Sequence, residues 1–227
     1  MILGVIFLIM NEYHKIDTVF KRDERGKIII GEYSRPEFEY LKDNEWVFTE
    51  KVDGTNIRIM WDGNEMKYGG KTDNAQMPVM LFAALNELFE DSKEQFLDMF
   101  GTEGNVCLYG EGYGAKIQKG GGLYSPVPKF VLFDIKIGYW WLERDNIVDI
   151  ASKLGLMVVP IILTGTLGLG IELVQNNSVQ SYWGNFKAEG LVAKPRVELK
   201  ARNGDRIITK IKVKDFVVPT VSTKSVL

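Results

Sequence analysis

Charged side chains stand at the ends of, or inside, apolar runs at five places in this sequence. They are Glu50-Lys51-Val52-Asp53-Gly54, Tyr109-Gly110-Glu111-Gly112, Phe130-Val131-Leu132-Phe133-Asp134-Ile135, Glu189-Gly190-Leu191-Val192-Ala193-Lys194 and Lys210-Ile211-Lys212. A charge in a strand that reads as buried is costly unless it is paired or used. In the first segment a lysine is set between two acids at the lip of a turn, with Asn56 and Arg58 close behind. Lys210 and Lys212 have period-two spacing, which points both to one side of a strand and Ile211 to the core.

Taken singly, each segment has a plainer reading. The β-branched and aromatic runs around Asp53-Gly54 carry the strongest short hairpin signal there is, which makes Lys51 a solvated rim residue. Glu111 and Glu189 read as rim acids, Phe133 as core, and the Lys210/Lys212 pair as protection for a sheet edge. Single short motifs recur by chance, but five in this order form a pattern.

The elements that must hold these residues follow from periodicity. Apolar residues alternate or run in short blocks at 27–31, 46–51, 56–61, 105–109, 129–135, 190–193, 197–200 and 206–212, which predicts strands. Helical spacing predicts helices over 79–89, 92–100, 146–154 and, more loosely, 171–183, with Gly101 and Gly155 as left-handed C-terminal residues. Strands in hairpins at both ends with intervening helices indicate an α+β fold on antiparallel sheet, not a doubly wound nucleotide fold. No repeat, heptad seam or long linker divides the chain, so residues 1–227 are expected to form one domain.

Composition narrows the classes. With 227 residues and 45% hydrophobic content, the chain buries a real core. The single cysteine, Cys107, rules out an internal disulfide and suits a reducing cytosol, and its apolar surroundings make it a small buried hydrophobe. One histidine, His14, leaves no histidine metal site and no Ser-His-Asp triad. The start, MILGVIFLIM, has no basic flank or cleavage site and is too short to span a bilayer. It is expected to be an extension over residues 1–12, either an edge strand or the product of an over-long start with Met10 as the second candidate. Net charge is -2, yet residues 183–227 hold ten Lys and Arg against four Asp and Glu. That asymmetry suits a basic face for phosphates. Gly69-Gly70-Lys71-Thr72 is no P-loop, since Glu65 stands where its first glycine belongs and no helix-forming run follows at once. The glycines around Glu111 and at 120–122 lack dinucleotide spacing.

In their order, the five segments resemble motifs I, III, IIIa, IV and V of the covalent nucleotidyltransferase superfamily of ATP-dependent ligases and capping enzymes. The wording T-E-K-V-D-G-T-N, G-G-K-T-D-N-A-Q, E-G-L-V-A-K-P and K-I-K-V-K-D-F is most similar to the RNA ligase branch that includes phage nick-sealing enzymes. The resemblance runs from about Tyr13 to Phe216. It implies a nucleotidyltransferase domain that uses ATP with Mg2+ or Mn2+ and joins 3′-OH to 5′-phosphate ends of RNA or an RNA-containing duplex. Lys51 is then the nucleophile that forms a lysyl-AMP, with Lys210 and Lys212 lowering its proton affinity and holding the α-phosphate. Glu111 and Glu189 serve as oxygen ligands to the metal or the ribose, and Phe133 as a ring for adenine. Glu50 is placed near the adenine amino group, and Asp53 and Asn56 near the reacting phosphates or the nucleic-acid end.

The sequence departs from the family at Lys71, where an arginine is usual; lysine keeps the charge and loses the bidentate fork. The sequence also ends eleven residues beyond Phe216, so neither an OB domain nor an RNA-binding module is expected within it, and an accessory RNA-binding protein would fit. Three alternatives stay open: a DNA ligase, a GTP-dependent capping enzyme, and a nucleotide- or RNA-binding module without catalysis. A cytoplasmic location, the host's if phage-encoded, and no membrane association are expected.

Overall fold

The computed structural model describes residues 12–217, and the apolar start at residues 1–11 lies outside the described residues. The chain forms two compact units. Within the described residues, the first comprises 16–51 and 161–217; the second comprises 12–15 and 52–160.

In chain order, the first unit opens with β1 (Asp17–Thr18), β2 (Phe20–Arg22), β3 (Ile28–Tyr33), α1 (Pro36–Tyr40) and β4 (Trp46–Glu50). The second unit contributes β5 (Thr55–Trp61), β6 (Met66–Gly69), α2 (Val79–Phe89), α3 (Lys93–Phe100), β7 (Val106–Tyr113), β8 (Lys129–Ile137), β9 (Trp140–Trp141) and α4 (Arg144–Lys153). The chain then returns to the first unit with β10 (Ile161–Gly165), α5 (Leu167–Gln175), β11 (Gly190–Pro195), β12 (Thr209–Lys212) and α6 (Val213–Phe216). None of the described helices is long and apolar enough to cross a membrane.

The first unit is built on a sheet of order β1-β12-β11-β4-β10, with a separate β2-β3 hairpin. All its pairs are antiparallel except β1 with β12. Period two sorts its side chains. Trp46, Phe48, Leu191, Ala193, Thr209 and Ile211 face the core with α5, where Leu167, Ile171 and Val174 meet them. Val47, Thr49, Lys51, Val192, Lys194, Lys210 and Lys212 alternate with them and remain partly exposed. The sheet therefore has one apolar face and one face rich in lysine.

The second unit's sheet runs β6-β5-β7-β8-β9, antiparallel throughout. Ile57, Ile59 and Trp61 of β5, Leu108 of β7 and Leu132 and Ile135 of β8 bury against Leu81, Leu85 and Phe89 of α2, with α3 and α4 completing the core. Its opposite face carries Asn56 and Arg58 of β5 and Tyr109 and Glu111 of β7.

The α+β antiparallel reading of the sequence holds in both units. The helix predicted over 79–89 forms over those residues, and Gly101 and Gly155 adopt φ of 68° and 64°. Three local readings fail. The Asp53-Gly54 hairpin does not form, because β4 and β5 belong to different sheets. Residues 197–200 make only an isolated bridge, Lys200 with Arg206. The helix predicted over 171–183 forms instead over 167–175, started by the Thr166 hydroxyl accepting from the Leu169 N–H.

Arg58 is a buried charge with a local task. Its side chain is 1% exposed; Nε donates to the Gly70 carbonyl at 2.8 Å, and the guanidinium pairs with Asp73 at 2.7 Å. It thereby holds the loop that carries Lys71. Because Asp73 is 72% exposed, its half of the contact is screened. Arg58→Met is expected to lower stability by about 2 kcal/mol, the scale of a lost hydrogen bond from a charged donor, while Asp73→Ala should stay within about 0.5 kcal/mol of the parent. Thermal unfolding of both variants checks this; equal losses would move the importance from the Gly70 carbonyl to the ion pair.

Candidate active site

Lys51 follows the last residue of β4, and its N–H donates to the Gly190 carbonyl at 3.0 Å, which continues the β4-β11 ladder by one step. Gly190 is in turn registered with Lys212, and Val192 with both Thr49 and Lys210. Lys51, Gly190 and Lys212 thus form one row across three strands, with the two lysines about 10 Å apart in backbone position at two strand spacings. Gly190 is required there, since a Cβ would lie 2.0 Å from the Ile211 carbonyl oxygen. β12 lies between β1 and β11, so Lys210 and Lys212 do not protect an edge.

Glu189, just before β11, forms an ion pair with Lys51. Both side chains are about one-fifth to one-quarter exposed (20% and 25%), so the pair stays open to a ligand. Lys212 is held differently. Burial pushes its ammonium below the usual lysine value, helped by Lys214 and Arg22 and opposed by Asp215 and Glu189. Asp215 lies 4.0 Å from Lys212 and is itself bonded to Arg22 at 2.7 Å. The sequence reading missed Asp215 and Arg22. Asp215 had a faint signal, three residues beyond Lys212 at the start of α6, whereas Arg22 comes from a distant strand.

Glu50 is on the apolar face and only 2% exposed. Its carboxylate accepts from Ser181 Oγ at 2.7 Å and from the Tyr182 N–H at 2.8 Å. Burial raises its proton affinity above the usual glutamate value, and those two hydrogen bonds pull against the rise. Ser181 and Tyr182 carried no sequence signal for this contact.

The second unit gathers Asn56, Glu111 and Phe133. Asn56 is registered with Glu111, and Glu111 with Val131. The β7-β8 register slips between Tyr109 and Gly110, so that Phe133 is the extra residue of a bulge. The bulge turns Phe133 to the side of Asp134, where its ring meets Tyr13 edge-on at 5.0 Å while Tyr13 Oη bonds Asp134 at 2.5 Å. Asn56 Oδ1 is buried and accepts no hydrogen bond from the described residues, leaving it for a ligand. Asp53 sits in the link after Lys51, its N–H donating to Tyr124 Oη at 3.4 Å, and the neighbouring Gly54 carbonyl accepts from Gln118. Lys71 is exposed on the loop that Arg58 holds. Cys107 is buried with its thiol pushed up to about 12 by desolvation, which fits a packing role.

The site residues thus fall into two sets. Lys51, Glu189, Lys210 and Lys212 belong to the first unit, with Glu50 behind them; Asn56, Glu111 and Phe133 share one face of the second. The fold that presents them is found in solved structures of Naegleria gruberi RNA ligase. A variant of that enzyme with ATP and Mn superposes with a TM-score of 0.65 at 21% identity, covering 91% of this chain and 57% of that one. The ligase with PPi gives 0.61 at 20% identity, over 88% and 61%, and a variant with AMP and Mn gives 0.60 at 19%, over 87% and 61%. This chain therefore spans 57% to 61% of the length of those ligases. No curated protein sequence matches it. The sequence matches the RNA ligase family over residues 44–212, and the chain belongs to that family.

Proposed function

We propose that this protein is an ATP-dependent RNA ligase that joins 3′-OH to 5′-phosphate ends through a lysyl-AMP at Lys51. The observation that carries this reading is the lysine row: an amine paired to a carboxylate at the end of β4, on the same face as two further lysines. Lys51 Nζ attacks the α-phosphorus of ATP, the bond to the bridging oxygen breaks, and pyrophosphate leaves. The amine must lose a proton to attack, and without nucleotide it is paired to the Glu189 carboxylate. Lys210 and Lys212 face the charge that develops on the transferring phosphoryl group. A 5′-phosphate oxygen of the nucleic acid then attacks the same phosphorus and breaks the P–N bond, restoring the amine. Attack of a 3′-OH on the 5′-phosphorus finally forms the phosphodiester and expels AMP. The ATP, PPi and AMP named with the solved ligases correspond to the substrate and products of this sequence.

A divalent ion fits the donors present. Among the described residues no three or more His, Cys, Asp or Glu side chains cluster for a metal, so a cage is absent there. Mg2+ or Mn2+ is characteristically held by one or two carboxylates together with substrate phosphates, and Glu189 and Glu111 are the carboxylates we assign to it. Bound there, it would neutralise phosphate charge. Phe133, turned out by its bulge, is the ring we assign to adenine, with Asp53, Asn56 and Lys71 the remaining nucleotide- or phosphate-binding residues; Glu50, turned to the apolar face with its carboxylate bonded to Ser181 and Tyr182, supports the site from behind. RNA is the partner, and the whole operates as one nucleotidyltransferase domain in the cytoplasm.

Nicked duplexes that differ only in the sugar at the 3′-OH side test the substrate. Joining is expected with RNA at that position, read by gel after incubation with ATP and Mg2+. Joining restricted to all-DNA nicks would make the enzyme a DNA ligase, and labelling by GTP in place of ATP would make it a capping-type enzyme.

A further inference from the structure

The segment between α5 and β11 folds back on itself as a tight hairpin. Ala188 N–H donates to the Val179 carbonyl at 3.1 Å, Ser181 N–H to the Phe186 carbonyl at 2.9 Å, and Gln180 Nε2 reaches the Gly184 and Phe186 carbonyls at 2.8 Å each. Its base runs straight into Glu189 and β11. Its rising strand is tied to the end of β4 by the buried Glu50 carboxylate, which takes the Ser181 hydroxyl and the Tyr182 N–H. The hairpin is therefore fixed at the end of the sheet from which Lys51 and Glu189 emerge.

At its tip the hairpin carries Tyr182, whose ring is left out of the core. The residue is 65% exposed, although an aromatic ring is among the most valuable groups to bury. Trp183 meets it edge-on, with ring centroids 5.7 Å apart at 82°, so one face of the phenol ring is not consumed by that neighbour. The hairpin also opens the basic stretch of the chain, where ten Lys and Arg face four Asp and Glu across residues 183–227, and Lys187 on the hairpin is exposed.

We infer that Tyr182 is a stacking platform for an unpaired base of the RNA strand, set beside the nucleotidyl-transfer site and held there by Glu50. Small ligands occupy concave sites that bury most of their surface, which a ring exposed at a hairpin tip does not offer to ATP. A polymer can stack one base on such a ring while neighbouring lysines take its phosphates. A base inside a duplex has no free face to give, so the occupant is a single-stranded end or a frayed nucleotide. Trp183 is the buttress, and Glu50 is a positioning residue for the platform. This inference rests on the ligase reading for its substrate, and its test does not need ligase activity.

The test uses short single-stranded RNA carrying 2-aminopurine, titrated without ATP onto the parent protein, Tyr182→Ala and Tyr182→Phe. Affinity should fall about tenfold in Tyr182→Ala, the scale of one lost base–aromatic stack, and the quenching of the fluorescent base should fall with it. Tyr182→Phe should retain both, because stacking needs the ring and not the hydroxyl. Blunt duplex RNA should bind parent and Tyr182→Ala alike. Unchanged single-strand affinity in Tyr182→Ala would overturn the proposal, as would equal losses in both variants. A matching loss of ATP affinity, read by nucleotide titration, would give the ring to adenine and overturn it too. Failure of the ligase reading would show separately, as absence of lysyl-AMP in the parent protein.

Discussion

Incubation with ATP and Mg2+ is expected to add one AMP to the chain, visible in the intact mass, and to leave the modification on the peptide that contains Lys51. Lys51→Ala should abolish the adduct, since Lys51 is paired to the Glu189 carboxylate at a strand end and aligned across the sheet with Lys212. Lys51→Arg should abolish it as well, because a guanidinium stays protonated at any working pH and offers no nucleophile. Pyrophosphate added after labelling should strip the AMP by the reverse reaction, which separates a lysyl-AMP from tightly held nucleotide. A parent protein that stays unmodified under varied metal and pH would leave a binding module as the reading. A label that survives Lys51→Ala would place the nucleophile elsewhere.

Much of that site was legible because strand periodicity is a strict rule. From Lys210-Ile211-Lys212 alone, two lysines on one face and a buried isoleucine follow, and Ile211 is 1% exposed. What periodicity does not give is the identity of the neighbouring strand. The Lys210/Lys212 pair reads equally well as the guard of an edge until β1 is seen to cover β12 with a two-residue parallel pairing. Nothing local in Asp17-Thr18 announces that partner, nearly two hundred residues away.

The Asp53-Gly54 turn failed for a related reason. Asp-Gly favours a hairpin when the flanking strands pair with each other, but β4 pairs with β10 and β11, and β5 with β6 and β7. Long-range pairing outweighed the local preference. The glycine is still required, on different grounds: a Cβ on Gly54 would stand 2.3 Å from the Gly112 carbonyl oxygen and 2.8 Å from Glu111 Cγ. A residue that reads as a turn former is there to let the chain pass close to the strand carrying Glu111. The bulge at Phe133 was equally silent, because a register slip has no composition of its own in an apolar run such as Phe130-Val131-Leu132-Phe133.

Replacing Lys212 should slow formation of the lysyl-AMP by about 10²- to 10³-fold, the range found when a preorganised partner for a developing charge is removed. Its protonation supplies the pH dependence. Burial lowers the proton affinity of this ammonium, so the charge is present at low pH and is lost as pH rises through a value below the ~10.4 of a free lysine. Adenylylation should therefore show an alkaline decline that begins earlier than an ordinary lysine would give. Asp215→Asn removes the largest influence opposing that shift and should bring the decline to still lower pH. Lys212→Arg should remove this contribution to the decline, because arginine keeps its charge. Stability has the opposite sign. A buried cation with a lowered pKa destabilises the fold fully below its folded pKa, and the penalty is relieved only as pH rises towards the unfolded value. At neutral pH, Lys212→Met should then unfold at the same temperature as the parent or higher while its adenylylation collapses, so the lost rate cannot be assigned to a lost fold. An alkaline decline unchanged in Lys212→Met, Lys212→Arg and Asp215→Asn alike would show that another group sets it, and would reduce Lys212 to a phosphate contact whose titration the reaction does not sense.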